Sequence, residues 1–250
     1  MTRHLFLSAI LAVFVVPGLA QPPAGRPKPV PQTAKARAPF DLTGYWVAQI
    51  TEDWRHRIMA APKGDVGGIP LNPAGRQAAA MWDPAARSGC EAYGVGGILR
   101  MPGRLHITWE GEEALKMETD AGAQTRMLSF EGRGGQPGDW QGVSTAAWDR
   151  LRPAIAGFQL GGGGGGGASL KVVTTDAQPA YLARNGVPYS AEAVFTEYYD
   201  LLEMPEGDAL LVVSVEVTDP VYLSTPYWYS VHFLKEGDGS GWNPQPCPAE

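Results

Sequence analysis

The sequence predicts an all-β fold, an antiparallel meander of about nine strands that closes or nearly closes into a barrel. Three observations carry this expectation. Short blocks of alternating apolar and polar residues, rich in β-branched and aromatic side chains, recur along the chain; glycine, proline, aspartate or asparagine separates them; and helical periodicity is almost absent.

The chain opens on Met1-Thr-Arg-His, continues through the largely apolar run Leu5 to Val16, and reaches Gly18 and Ala20 before Gln21. A basic start, a short apolar core and small residues after it are the parts of a secretory signal. Residues 1–20 are therefore expected to be a signal peptide, and the mature protein periplasmic or secreted. The run is shorter than the roughly 20 apolar residues a bilayer takes, and no later segment approaches that length, so no stable membrane span is expected. Residues 21–40 are rich in proline, with four basic residues and no acid, the composition of an extended tether. Residues 41–250 then form a single domain with 15 basic and 26 acidic residues, a formal charge of −11. That balance repels phosphate backbones and argues against nucleic acid as a partner.

Strands are expected near 43–50, 98–109, 115–120, 124–131, 139–147, 169–175, 193–201, 209–217 and 227–235. One helix is expected inside a 51–97 insertion, at "NPAGRQAAAMWDP", where Asn72 suits the cap, Pro73 the first turn, and Pro84 ends the run. The glycines at 161–167 lack the spacing and the following Gly-Lys-Ser/Thr of a phosphate loop and suit a surface loop instead. The two cysteines, Cys90 and Cys247, are an even pair in an exported chain and are expected to form a disulfide that ties the tail to the body.

The stretch from Arg104 to Arg126 writes two faces at once. Pairing Ile107 with Met117 and Trp109 with Leu115 needs a five-residue loop, Glu110 to Ala114, and sets His106 opposite Glu118. A three-residue loop at Ala121-Gly122-Ala123 would then set Glu118 opposite Arg126. In that register His106, Glu118 and Arg126 form one row across three strands, about 5 Å apart from strand to strand. Such a row suits catalysis, with His106 as acid or base, Glu118 orienting it and Arg126 holding an oxygen. On an outward face it is ordinary cross-strand pairing, and the pattern leaves open which face is inward. Glu197 and Tyr199 share the Phe195 face, where a carboxylate must be paired or neutral; His232 carries the same ambiguity as His106. These candidates come from separate strands without ligand spacing, so no metal and no cofactor is expected. His56, in "DWRHRIM", suits a solvated loop; the alternative is a rim position beside Trp54 and Arg55, contacting a ligand.

The opening "DLTGYW", residues 41–46, resembles the Gly-x-Trp start of lipocalins, which implies a lipocalin-like barrel with Gly44 and Trp46 in structural roles. The order of signal, helix, Cys-led segment, strand meander and late cysteine is similar to uncharacterised secreted bacterial proteins. The chain departs from lipocalins in its 51–97 insertion, long enough to cap the barrel as a lid. Three functions follow as expectations. The first is binding of a small, partly apolar ligand, with Glu197, Tyr199, His232, Trp54 and Arg55 as contacts. The second is a cofactor-independent isomerase, cyclase or lyase using the His106–Glu118–Arg126 row. The third is an envelope interaction module.

Overall fold

The structure, a computed structural model, describes residues 32–59, 61–86, 89–150, 167–205 and 207–247. The expected signal peptide, the first part of the tether and most of the glycine run lie outside them. Nine strands form a closed ring: β1 (Gly44–Gln49), β2 (Arg104–Trp109), β3 (Ala114–Thr119), β4 (Thr125–Ser129), β5 (Val143–Arg150), β6 (Ala168–Thr175), β7 (Val194–Glu203), β8 (Ala209–Thr218) and β9 (Tyr227–Glu236). Each pairs with its sequence neighbour, and β9 returns to β1 antiparallel. Nine is odd, so strict up-and-down alternation cannot close. The mismatch is absorbed at one parallel seam, where Leu128 and Ser129 of β4 meet Ser144 and Thr145 of β5. A parallel step needs a connection that returns to the starting end, and residues 130–142 supply it.

The apolar face of every strand points inward. Trp46, Leu105, Ile107, Leu115, Met117, Leu128, Leu170, Phe195, Val213 and Phe233 are all essentially inaccessible, so side chains fill the lumen. Trp46, fully buried, donates its indole N–H to the Leu42 carbonyl at 2.9 Å.

The first register holds as the hydrophobic pattern requires: His106 faces Glu118, Ile107 faces Met117, and Trp109 faces Leu115. The second is shifted by one residue from the expected pairing. Glu118 faces Thr125 and Met117 faces Arg126, because the turn has four residues, Asp120 to Ala123, closed by the Thr119 N–H on the Gln124 carbonyl at 2.9 Å. The Asp120 carboxylate accepts the N–H groups of Arg104 and Ala121, both at 2.6 Å, and holds the extra residue in place. Gly122 takes φ 77° there, with the Tyr93 ring so close that a Cβ would meet it at 2.4 Å. A slip of one residue exchanges faces, and Arg126 turns into the lumen.

The insertion caps the end of the barrel where β1 leaves and β9 begins. Its Ile69, Leu71 and Val95, with Ile98 and Leu99 of the 3₁₀ turn that replaces the expected start of the 98–109 strand, join the buried cluster that contains the barrel residues, helped by a hairpin of Ala180–Ala183 with Val187–Tyr189. It holds a four-residue helix α1 (Trp54–Arg57) and a nine-residue helix α2 (Pro73–Met81). Pro73 stands at the start of α2, and the Asn72 side chain accepts the Gly75 N–H at 2.9 Å while donating to the Val221 carbonyl at 2.9 Å. Asn72→Ala is expected to lower stability by about 1–2 kcal/mol, read as a lower denaturant midpoint; an unchanged midpoint would show that the cap is not needed.

The opposite end is closed by a segment expected to be free tether. Residues 32–40 dock there: Ala34 is fully buried, its carbonyl accepts the Trp148 indole N–H at 2.8 Å, and Phe40 meets the Trp148 ring edge-on at 5.4 Å. The acidic β2–β3 turn explains the docking. Glu113 accepts the Ala34 N–H at 3.1 Å, and Glu112 accepts the Thr33 hydroxyl at 3.0 Å. Cys90 and Cys247 form the expected disulfide, beside a short parallel pairing of Gln245–Pro246 with Ala121–Gly122. Among the described residues no helix is long and apolar enough to cross a membrane.

Candidate functional site

The shifted register divides the expected row. His106 and Glu118 stay together on the outer face, Nδ1 to Oε2 at 3.2 Å, with Lys116 rather than Arg126 as the second partner of Glu118 at 3.2 Å. Tyr45 stacks on the His106 ring at 4.2 Å and 5°, and Trp242 leans over both. The outer hollow nearby, about 500 Å³ between Tyr93, Arg104, Asp120 and the Asn243–Pro246 strap, has its charges internally matched. Asp120 caps the turn described above, and the Arg104 guanidinium sits on Glu236 at 2.9 Å. This face pairs strands and seats the tail.

Arg126 instead meets Glu197 inside the barrel. Its two terminal nitrogens donate to the two carboxylate oxygens, each at 2.9 Å, and Nη2 also reaches the Thr174 hydroxyl at 3.1 Å. Tyr199 donates to Glu197 at 3.0 Å, and Ser144 joins through Thr174 at 2.8 Å. Burial works against the Arg126 charge, but the adjoining carboxylate more than reverses this and holds the guanidinium above its ordinary pKa. Burial pushes the Tyr199 phenol up. Thus the carboxylate among aromatics is paired, in a network enclosed by core side chains. Glu197 and Tyr199, expected as ligand contacts, lie in that network.

The remaining expected contacts lead to the capped mouth. Trp54 and Arg55 are exposed on α1, with Arg55 on Asp65 at 3.4 Å. His56, expected in a solvated loop, is packed between Asp53 and Asp65, each at 3.4 Å. His232 sits outside the barrel with Nδ1 3.0 Å from Glu52. Glu52, Asp53 and α1 open a cleft of about 330 Å³, walled by Arg57, Gly68, Arg100 and the start of β9, Tyr227 to Val231. Local structure puts the charges there. Asp53 takes a left-handed conformation, φ 54°, as the chain turns from β1 into α1, and that turn sends Arg57 inward while Trp54 stays outside. Arg100 ends the 3₁₀ turn Ile98–Arg100.

Both arginines are buried, at 2% and 6% exposure. Arg57 is ion-paired with Glu52 through Nη1 and donates through Nε to the Arg100 carbonyl at 3.2 Å. Arg100 is ion-paired with Asp53, donates to the Tyr227 hydroxyl at 2.8 Å and lies over the Tyr229 ring at 5.2 Å. Burial pulls the Arg57 guanidinium below its ordinary pKa despite Glu52. For Arg100, burial is outweighed by the surrounding phenols and Asp53, and the shift is upward. Burial also pushes the Tyr229 phenol up. Arg57 Nη2 is one of several buried polar atoms without a hydrogen-bond partner among the described residues, Arg126 Nε in the lumen being another.

Sequence reasoning found the exposed side of α1 and missed Glu52, Asp53, Arg57, Arg100, Tyr227 and Tyr229. The available signal was the charge-dense "EDWRHR" where the insertion begins. Arg100 had no such mark.

No family model, no curated protein and no solved structure matches this chain.

Proposed function

We propose that this is an extracytoplasmic small-molecule binding protein on a lipocalin-like barrel, whose ligand is held in the cleft at the capped mouth rather than in the lumen. One observation carries the reading: a cleft of about 330 Å³ at the capped mouth that brings Tyr227, Trp228 and Tyr229 together with the two buried arginines. Apolar walls with a few placed polar groups are the usual form of a small-ligand site. The Cys90–Cys247 bridge fits an oxidising compartment.

The test is a thermal-shift screen of small aromatic and apolar compounds, followed by titration of tryptophan emission, since Trp228 is 54% exposed on the cleft wall. Ligands that raise the melting temperature are expected. Arg57→Lys, which keeps a cation for Glu52 but removes the planar guanidinium from the cleft wall, is expected to weaken them by roughly ten- to a hundredfold, the loss of a charged hydrogen bond. Equal affinity in the lysine variant would move the site elsewhere.

A further inference from the structure

Independently of the cleft, we infer that the protein carries a second binding site at the opposite end of the barrel, which takes a flat, mainly apolar molecule and is completed by the chain's own arm, residues 32–40.

Three strands bring aromatic side chains to one place there. Trp109 ends β2, Phe130 follows β4, and Trp148 lies on β5. The parallel seam sets Ser129 level with Thr145, so Phe130 and Ala146, each one residue further on, come to the same hollow. The rings are in contact: Trp109 and Phe130 stand 5.8 Å apart at 26°, Phe130 and Trp148 5.2 Å apart at 35°, the offset and tilted arrangements that aromatic groups favour. Beside Phe130 and Trp148 the hollow has a volume of about 360 Å³, within the range of small-ligand sites, about 300–1,000 Å³. Ala146 and Ala147 bring only methyl groups to its wall, and that is why it is open.

The rest of the wall is Gln32 and Arg37, both from the arm. The arm is held by its main chain. The Glu113 carboxylate oxygens each accept the Ala34 N–H at 3.1 Å, the Glu112 carbonyl accepts the Lys35 N–H at 3.1 Å, and the Ala34 carbonyl accepts the Trp148 indole N–H at 2.8 Å. Trp148 therefore serves both partners, since its N–H fixes the arm while its side chain lines the hollow. A flat apolar body lying on Phe130 and Trp148 with its polar edge toward Gln32 and Arg37 meets the usual form of a ligand site, apolar walls with a few placed polar groups. Because arm and ligand share one wall, each stabilises the other by the same factor. A bound molecule tightens the arm, and a loosened arm weakens the bound molecule.

The test uses N-phenyl-1-naphthylamine, an uncharged fluorescent probe, titrated into the intact disulfide-bonded protein and into Arg57→Lys, so that binding in the cleft is told apart. Ala147→Phe and Ala147→Leu fill the hollow from an exposed strand position. Glu112→Ala/Glu113→Ala removes the side-chain acceptors that hold the arm and leaves the aromatic floor in place. Saturable binding is expected in both starting proteins, lost in either filled variant, and weakened roughly five- to tenfold in the glutamate variant, the lower range of coupling between sites. In the Arg57→Lys protein the probe is also expected to slow hydrogen exchange at the Ala34 amide. Absence of binding, or equal affinity in a filled variant that melts with its parent, would overturn the site. Binding that left Ala34 exchange unmoved, a measurement that needs no filled variant, would overturn the arm's part in it.

Discussion

Arg126→Met is expected to cost about 3–5 kcal/mol of folding stability, the loss associated with removing one partner of a buried ion pair. The variant leaves the Glu197 carboxylate in the lumen with, among the described residues, only the Tyr199 hydroxyl donating to it. Phe195 and Val215 enclose it on the neighbouring inward positions. Because the burden is a stranded negative charge, the deficit should shrink in acid, where a neutral carboxyl replaces it. The double variant Arg126→Met/Glu197→Leu removes both charges together and is expected to recover most of the loss, since well-packed apolar replacements of buried pairs are often neutral or better. Urea denaturation of the wild type and of both variants at neutral and acidic pH checks all three statements. A double variant as unstable as the single one would mean that the network specifies the barrel through Thr174 and Ser144 rather than through charge balance.

That pair also shows where a sequence stops being legible. Alternation placed nine strands because interior and exterior positions differ in chemistry, and a period of two survives any tertiary context. The five-residue loop after Trp109 was readable for the same reason: that length matches Ile107 and Trp109 to apolar partners, Met117 and Leu115, across the ladder. The next turn was not. Three and four residues each leave one apolar match, Met117 against Met127 or Leu115 against Leu128, and the choice is made by Asp120 capping two backbone N–H groups and by the tail lying along Ala121–Gly122. The Arg104 half of that cap and the tail contact are not local in sequence. Glu197 was recognisable as a carboxylate that needed a partner, yet its partner lies 71 residues away. The cleft was harder still. Arg57 and Arg100 are ordinary surface residues by composition, and they are buried because the insertion folds over the barrel mouth and seals it with Ile69, Leu71, Ile98 and Leu99. Trp54 and Arg55 attracted notice for their chemistry, but the turn of α1 exposes them and buries their neighbour.

The same nonlocal tail contact underlies the second large effect. Replacing both cysteines, Cys90→Ser with Cys247→Ser, is expected to destabilise the protein by up to about 5 kcal/mol, the chain-entropy value for a bridge spanning this much sequence. The bridged residues are 157 apart, so the cross-link restricts most of the unfolded chain. The figure is an upper bound for a physical reason: without the bridge the native state also gains freedom, since the tail can lift away. Its other attachments among the described residues include the Gln245 N–H on the Asp120 carbonyl at 2.8 Å, a two-residue parallel pairing, and Trp242 against Tyr45 and His106. Two signals therefore separate the global and local effects. The denaturant midpoint reports the unfolded-state term, while hydrogen exchange at Gln245 and at the Asp120–Ala123 turn reports release of the tail. A lower midpoint with protection retained would place the effect in the unfolded chain alone. A nearly unchanged midpoint with protection lost would show that the bridge mainly holds the tail, and with it the turn whose four-residue length sends Arg126 inward.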